Sequence, residues 1–317
     1  MQTLFLNQLS EKPHPSTAAV GFFDGLHRGH SYLIDELKKE AARRKQCSMI
    51  VTFLEHPQKI LRPGDPVAIL TTFPEKLNLL QESGVDYCVV LEFTKEMASL
   101  SARSFLQDVL ARKLSVATLL IGHDHRFGYN REDGLDAYVT YGKEVGMELL
   151  GADCCCISQE VETKSSSIRR LLQQGQLMEA QNLLGRPYSI MGEVIHGQKL
   201  GRRIGFPTAN LQLDSADKLI PAPGVYAVRA YLKNQTRWGM MNIGYRPTVD
   251  AGQSLSLEVN LFDFDQDIYG QYMRVELLQR VRSERKFDSL DALVAQLHKD
   301  RELIAAEIQM KHPFGRL

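Results

Sequence analysis

Two histidines three residues apart, His27 and His30, stand in the stretch GFFDGLHRGH at residues 21–30. Gly21, Gly25 and Gly29 let the backbone around them turn sharply and approach a ligand closely. A helix starting here brings both imidazoles to face one point and adds free amide donors and the positive end of a dipole. Imidazoles and amides together suit a phosphate whose negative charge grows in a transition state. Two surface or capping histidines satisfy the same spacing, and a zinc site needs a third ligand that the stretch does not supply.

Other segments carry comparable chemistry. In KSSSIRRLL (164–172), the hydroxyls of Ser165 and Ser166 at a helix start, with Arg169 one turn inside, make a triphosphate clamp. A Ser-rich cap with a solvated Arg is the plainer alternative. The stretch GEVIHGQKLGRRIGFPTANL (192–211) contains Gly192, Gly197, Gly201 and Gly205, and from Val194 to Leu213 its only formal charges are Lys199, Arg202 and Arg203. A cationic glycine-rich loop covers a di- or triphosphate; a basic hairpin tip looks the same. Thr208 and Asn210 are two apart, so in an extended segment they share a side. A hydroxyl and an amide carbonyl are hard oxygen ligands that suit Mg²⁺ or another divalent cation. In SLSLEVNLFDF (254–264), Leu255, Leu257, Val259 and Leu261 face one way and Ser256, Glu258 and Asn260 the other. Glu258 then either is an exposed strand carboxylate or reaches a ligand on the polar face. There it would orient an alcohol and accept its proton.

The elements that must position these residues follow from periodicity. Strands are predicted at about 18–22, 48–53, 87–91, 117–121 and 147–150. Helices alternate with them at about 31–45, from Pro74, 101–114 and 135–145. This alternation predicts a parallel sheet with helices on both faces, and ligands at the carboxyl ends of its strands. The chemistry-bearing residues do fall after Phe22 and after Ile121. Two helical stretches, 166–173 and 177–184, lead into the linker Gly185-Arg186-Pro187. Beyond it, period-2 strands at about 188–196, 225–232, 236–242, 255–262 and 273–280 argue for a small antiparallel barrel or sandwich. An amphipathic helix near 290–309 should cap it or pack on the linker. The expected domains are therefore 1–185 and 186–317.

The 317 residues suit two domains, and 44% hydrophobic with 24% charged residues is ordinary for a globular chain. A formal net charge of zero gives no global field toward nucleic acid or an anionic membrane. Neither is expected as a partner. Five cysteines, three of them adjacent at Cys154, Cys155 and Cys156, read as buried thiols rather than a disulfide framework or a zinc site. MQTLFLNQLSEKPHPS lacks the pattern of a signal peptide, and no apolar run spans a bilayer, so a cytoplasmic location is expected. Oligomeric state leaves no mark in the sequence.

GxFDGxHxGH resembles the signature of the nucleotidylyltransferase half of bacterial bifunctional riboflavin kinase/FMN adenylyltransferases. His27 and His30 match its ATP-phosphate histidines, and Phe23 and Asp24 match its FDG element. Phe22 stands where that family usually has Asn. IGHDHRFGYNREDG (121–134) is similar to GxDFRFGxxRxGD, with Asp124, Arg126, Phe127, Gly128 and Arg131 matching and His125 in place of Phe. Ser165, Ser166 and Arg169 fall on SSTxIRxxL, with Lys164 replacing its first Ser. GFPTAN is close to the riboflavin kinase signature, where Thr208 and Asn210 match metal- and nucleotide-contacting residues and Glu258 the catalytic glutamate. The stretch 268–287, with Arg282 and Phe287, is similar to the part that closes the flavin site. The resemblance runs from about residue 17 to 304. It implies a Rossmann-like adenylyltransferase domain followed by a β-barrel riboflavin kinase domain with a terminal helix. Catalysis would fall to Glu258, His27 and His30, and flavin binding to Asp124, Arg126, Phe127, Arg131, Arg282 and Phe287. ATP, riboflavin, FMN and FAD would be substrates and products, with Mg²⁺ as metal. Two other readings use the same residues: a riboflavin kinase with a drifted N-terminal half, and a flavin-binding regulator without catalysis.

Overall fold

The short apolar runs of the first half are flanked by amphipathic segments long enough to cross over a sheet, so they pair in parallel. The computed structural model describes residues 1–122, 127–129, 133–151, 163–197, 200–233, 235–247 and 253–311. Its strands β1 (Gln2–Phe5), β2 (Ser16–Val20), β3 (Cys47–Phe53), β4 (Tyr87–Leu91), β5 (Val116–Ile121) and β6 (Glu148–Gly151) form one sheet. The order is β1-β4-β3-β2-β5-β6 and every pair is parallel. Alternate residues serve opposite faces. Ala18, Met49, Val51 and Val89 pack on Leu106 and Leu110, whereas Ala19, Ile50, Cys88 and Val90 pack on Ile34, Leu37 and Leu80. Burial on both faces explains why these strands read as continuous apolar runs. The order reverses about β2, with β3 on one side and β5 on the other, so a ligand crevice is expected at the end of β2.

The second half closes on itself. β7 (Tyr188–Ile195), β8 (Ala209–Leu213), β9 (Gly224–Leu232), β10 (Gln235–Pro247), β11 (Gln253–Leu261) and β12 (Tyr272–Ser283) make a closed antiparallel barrel, ordered β10-β11-β8-β7-β12-β9. Closure settles the choice between barrel and sandwich, and it leaves no strand edge exposed. Val228, Met241, Val259, Val275 and Leu277 are fully buried and face the interior by alternation. The outer wall is apolar too: Val225, Ala227, Trp238, Met240 and Phe262 cluster with Ile304 and Ile308 of the helix Leu290–Lys311. The terminal helix thus packs on the barrel wall.

By its internal contacts the chain divides into Met1–Ser165 and Ser166–Leu317. The helices Ser165–Gln173 and Leu177–Leu184 contribute to the second unit: the Leu172 carbonyl accepts from the Ala222 N–H at 3.0 Å, and Gln181 Nε2 donates to the Leu277 carbonyl at 2.8 Å. Two strands escaped the sequence reading. β1 is a four-residue edge strand too short to show a period. β8 begins inside the FPTAN segment, where Pro207 and the polar Thr208 and Asn210 mask it. The helix expected at 101–114 divides into Ala102–Ser104 and a π-helical run Phe105–Lys113. Cys47 is half-buried, and Cys88 is buried with its thiol pushed up to about 11 by desolvation, which fits an inert core thiol. Cys154, Cys155 and Cys156 lie outside the described residues.

Ile304 is 1% exposed at the centre of the helix–barrel contact. Ile304→Ala should cost about 2–5 kcal/mol through the cavity it leaves. The measurement is denaturant unfolding followed by fluorescence of Trp238, the chain's single tryptophan, which lies in the same cluster. An unchanged midpoint would show that the helix does not hold the barrel.

Candidate active sites

The first site grows from the turn that ends β2. Phe23 (φ 55°), Gly25 (φ 79°) and Leu26 (φ 33°) all lie in the left-handed region. Such a turn persists only where its surroundings hold it. Asp24 is 3% exposed, and its carboxylate accepts from the backbone N–H groups of Leu70 (2.9 Å) and Thr71 (3.0 Å). The Gly25 N–H donates to Thr71 Oγ1 at 3.1 Å, and Ser165 Oγ donates to the Asp24 carbonyl at 3.0 Å. His27 then caps the helix Arg28–Arg44, its Nδ1 accepting from the His30 backbone N–H at 3.4 Å. The two imidazoles stack with centroids 3.7 Å apart and planes 16° from parallel. The buried Phe23 ring lies 5.2 Å from that of His30, and Gly21 and Gly29 pack against the Phe23 and His27 rings. An accepting Nδ1 leaves the proton of a neutral ring on Nε2, where it can donate to an anion. The capping role and the paired presentation are therefore both realised.

One residue of this site left only a faint signal in the sequence. Lys76 is 1% exposed on the helix Phe73–Glu82, and its Nζ donates to the carbonyls of Phe53 (2.8 Å) and Phe22 (3.2 Å) and to Thr52 Oγ1 (3.2 Å). Burial lowers its pKa to about 8. Its position four residues before Leu80 on the apolar face was the available cue.

The second site lies on the outer wall of the barrel. Arg282 pairs with Val225, Val225 with Asn242, Asn242 with Glu258, and Glu258 with Asn210. Directly opposed residues in a sheet share a face, so these five form one row across five strands. All five line a cavity of about 310 Å³ with Gly201, Thr208, Asn260, Glu284 and Phe287 among its other walls. Thr208 Oγ1 donates to Glu258 Oε2 at 3.2 Å, and Ser256 Oγ donates to Oε1 at 3.1 Å. Asn260 Nδ2 holds the Pro207 carbonyl at 2.7 Å and so fixes the segment that presents Thr208. Gly197 passes so close to the Asn210 amide that any side chain there would have to displace it. Thr208, Asn210 and Glu258 put hydroxyl, amide and carboxylate oxygens on one wall, a donor set that fits Mg²⁺ with room for water and phosphate. Among the described residues no group of three His, Cys, Asp or Glu side chains could hold a metal.

Not every expected residue reaches these centres in the same way. Arg202 and Arg203 are exposed on the short helix Leu200–Arg203 that borders the second cavity. Ser166 is exposed, and Arg169 is half-buried one turn into its helix. The Phe127 ring stacks on Tyr138 at 4.2 Å and packs, partly buried, against the sheet core. Arg282 lines the cavity, but Asp300, itself fully buried, accepts from its Nε at 2.9 Å and Nη2 at 2.8 Å. Phe287 lies 4.7 Å from the Arg285 guanidinium and 5.7 Å from that of Arg282. Asp124, Arg126, Arg131, His125 and Lys199 lie outside the described residues. Asn242 and Glu284 went unread; for Asn242 the cue was the register with Glu258, which needs the paired strands.

Comparison with known proteins agrees along the whole chain. A family model described as riboflavin kinase matches residues 184–308, and one described as FAD synthetase matches residues 9–167. Over 304 residues the chain is 39% identical to the bifunctional riboflavin kinase/FMN adenylyltransferase of Escherichia coli K12, covering 95% of this chain and 96% of that one. It is 36% identical over 306 residues to the Bacillus subtilis 168 protein of the same description, covering 93% of each. A crystal structure described as a macrolide-efflux protein from Streptococcus pneumoniae superposes with a TM-score of 0.85 at 32% identity, over 96% of this chain and 98% of that one. Among the described residues no helix is long and apolar enough to cross a membrane.

Arg282→Ala leaves the buried Asp300 carboxylate without its guanidinium, and it should destabilise the barrel unit by about 3–5 kcal/mol. Thermal unfolding of Arg282→Ala, Asp300→Ala and the double variant checks this. The double variant should lose clearly less than the sum of the singles, and strict additivity would show that the pair is not coupled.

Proposed function

The chain belongs to the family of bifunctional riboflavin kinase/FMN adenylyltransferases, and from that membership we propose how its residues divide the two reactions. It phosphorylates riboflavin to FMN and adenylylates FMN to FAD, with ATP as the second substrate of each step. The functional division follows 1–185 and 186–317, since the two family matches end and begin at 167 and 184. The helices between them form the connection. The location is cytoplasmic.

The observation that carries the kinase assignment is the row Asn242–Glu258–Asn210 with Thr208 beside it. In that cavity Glu258 faces the primary alcohol of the ribityl chain. Its carboxylate accepts the hydroxyl proton while the hydroxyl oxygen attacks the γ-phosphorus of ATP and the bond to the ADP oxygen breaks. Hydrogen bonds from Thr208 and Ser256 hold the carboxylate in one orientation. Thr208 Oγ1 and Asn210 Oδ1 are the donors that would hold Mg²⁺ or another divalent cation, whose chemistry when bound is to neutralise phosphate charge. Arg202 and Arg203, on the short helix before Thr208, add positive charge over the phosphates, and Lys199 is assigned to the same role from the motif that contains it. Arg282 and Phe287 wall the flavin side.

In the first unit a phosphate oxygen of FMN attacks the α-phosphorus of ATP and pyrophosphate leaves. The nucleophile is already anionic, so positioning and charge stabilisation supply the rate. His27 and His30 contact the triphosphate, joined by the amides of the turn Gly21–Gly29 and by Ser165; Ser166 and Arg169 are assigned to ATP from the motif that contains them. Asp24 and Phe23 shape the turn rather than touch phosphate, because the Asp24 carboxylate is occupied by backbone N–H groups and Phe23 is buried. Asp124, Arg126 and Arg131 are assigned to FMN from the motif that contains them.

His30→Ala should lower FAD formation about 10²–10⁴-fold and leave FMN formation intact, and Glu258→Ala should do the reverse for the first step. Chromatography of the flavins after incubation with riboflavin and Mg-ATP, and separately with FMN and Mg-ATP plus a pyrophosphate assay, reads both. Loss of both activities in either folded variant contradicts this division. A wild-type protein that stops at FMN would favour the kinase-only reading.

A further inference from the structure

Lys76 is a buried charged group that neither reaction step above employs. Its Nζ joins the ends of two strands: it donates to the carbonyl of Phe53, the last residue of β3, and to that of Phe22, two residues beyond β2. The Phe22 carbonyl receives a second donor, Thr52 Oγ1, at 3.2 Å. The peptide so held is the one that delivers the chain into Phe23, the first left-handed residue of the histidine turn. The Phe22 ring, at the position where the family usually carries Asn, lies under Nζ at 4.0 Å and meets His56 edge-on at 4.5 Å. This chain therefore adds a cation–π contact to the clamp.

A lysine in this place is an expensive way to fill space. Desolvation brings its pKa from 10.5 to about 8, against the opposing attraction of Asp24 in the turn and Cys88 on β4. Between those two values the unfolded chain binds the proton more tightly than the folded one, so stability rises with pH across that window. At neutral pH the charge thus works against the fold, and a methionine of similar length avoids that penalty. Buried charges retained at such a penalty concentrate at functional sites. We propose that Lys76 is a positioning residue for adenylyl transfer: its hydrogen bond to the Phe22 carbonyl, with Nζ fixed by those to Phe53 and Thr52, holds the Phe22–Phe23 peptide, and through it the stacked His27 and His30, in the geometry that receives the ATP phosphates. This rests on the assignment of adenylyl transfer to the first unit.

The groups facing the ammonium are the Asp24 carboxylate, the Cys88 thiol and, beyond the Phe22 ring, His56. The test uses full-length protein with Lys76→Met, Lys76→Arg and Phe22→Asn. It measures kcat and KM for FAD formation from FMN and Mg-ATP over a pH range bracketing about 8, with riboflavin phosphorylation by the same sample as the internal control. Lys76→Met should lower kcat for FAD formation about 10²-fold, the scale of a small misplacement of reacting groups, while riboflavin phosphorylation stays unchanged and the thermal midpoint does not fall. Wild-type FAD formation should decline as pH rises through about 8, where Nζ loses its proton. Lys76→Arg, which keeps its charge, should restore most of kcat and abolish that decline. Phe22→Asn should fall between wild type and Lys76→Met. Lys76→Met that makes FAD at the wild-type rate overturns the proposal, and so does Lys76→Arg no better than Met. Joint loss of both activities in Lys76→Met overturns it too, because Lys76 would then be a general core support. Wild type that makes FMN but no FAD would remove the adenylyltransferase assignment itself, which is a different failure.

Discussion

Barrel closure is the constraint on which the kinase chemistry depends. A closed sheet has no free register: each strand is pinned on both sides, so the row Arg282–Val225–Asn242–Glu258–Asn210 follows from four pairings that must agree. Side chains alternate with a period of two, so a slip of one residue in β11 would turn Glu258 into the apolar interior and Val259 out to the ligand. The interior is filled by Met241, Val259 and Val275, which leaves no room for such a carboxylate. Apolar packing on one face of each strand thereby sets the chemistry on the other.

That outer face would be an exposed polar row without its cover. Ile304 and Ile308 bring the terminal helix onto Trp238, Met240 and Phe262, and the Arg282–Asp300 pair ties the same helix to β12 beside the row. The result is a walled cavity lined both by oxygen donors and by the aromatic ring of Phe287. Such a combination suits a substrate that carries a flat apolar ring system and a phosphate-accepting tail.

The first unit solves a related problem with strain rather than register. Three residues in the left-handed region within four positions are unfavourable in isolation, and non-glycine cases cost of order 1–3 kcal/mol each. The turn is held by donors from three directions: Leu70 and Thr71 on the Asp24 carboxylate, Ser165 on its carbonyl, and Lys76 with Thr52 on the Phe22 carbonyl. Its reward is a pair of imidazoles stacked at a helix start, at the point where strand order reverses. Preorganised donors need no reorganisation when charge develops at phosphorus.

Local pattern determined a good deal by itself. The alternation of apolar runs with amphipathic stretches specified the parallel sheet, because period and length are local properties. The motifs around His27, Thr208 and Glu258 marked both sites, because residue type and spacing are written directly in the chain. Tertiary structure decided what depends on partners distant in sequence. The choice of barrel over sandwich lies in whether β9 and β10 close the ring. The short β1 and β8 exist only by pairing with β4, and with β7 and β11. Asp24 matches the FDG element of the motif by residue type, but the hold of Leu70 and Thr71 on its carboxylate exists only in the fold. Lys76 reads as an ordinary helix lysine until the fold buries it beneath the Phe22 carbonyl. Burial and hydrogen-bond partnership are sums over neighbours that the linear order of residues does not contain.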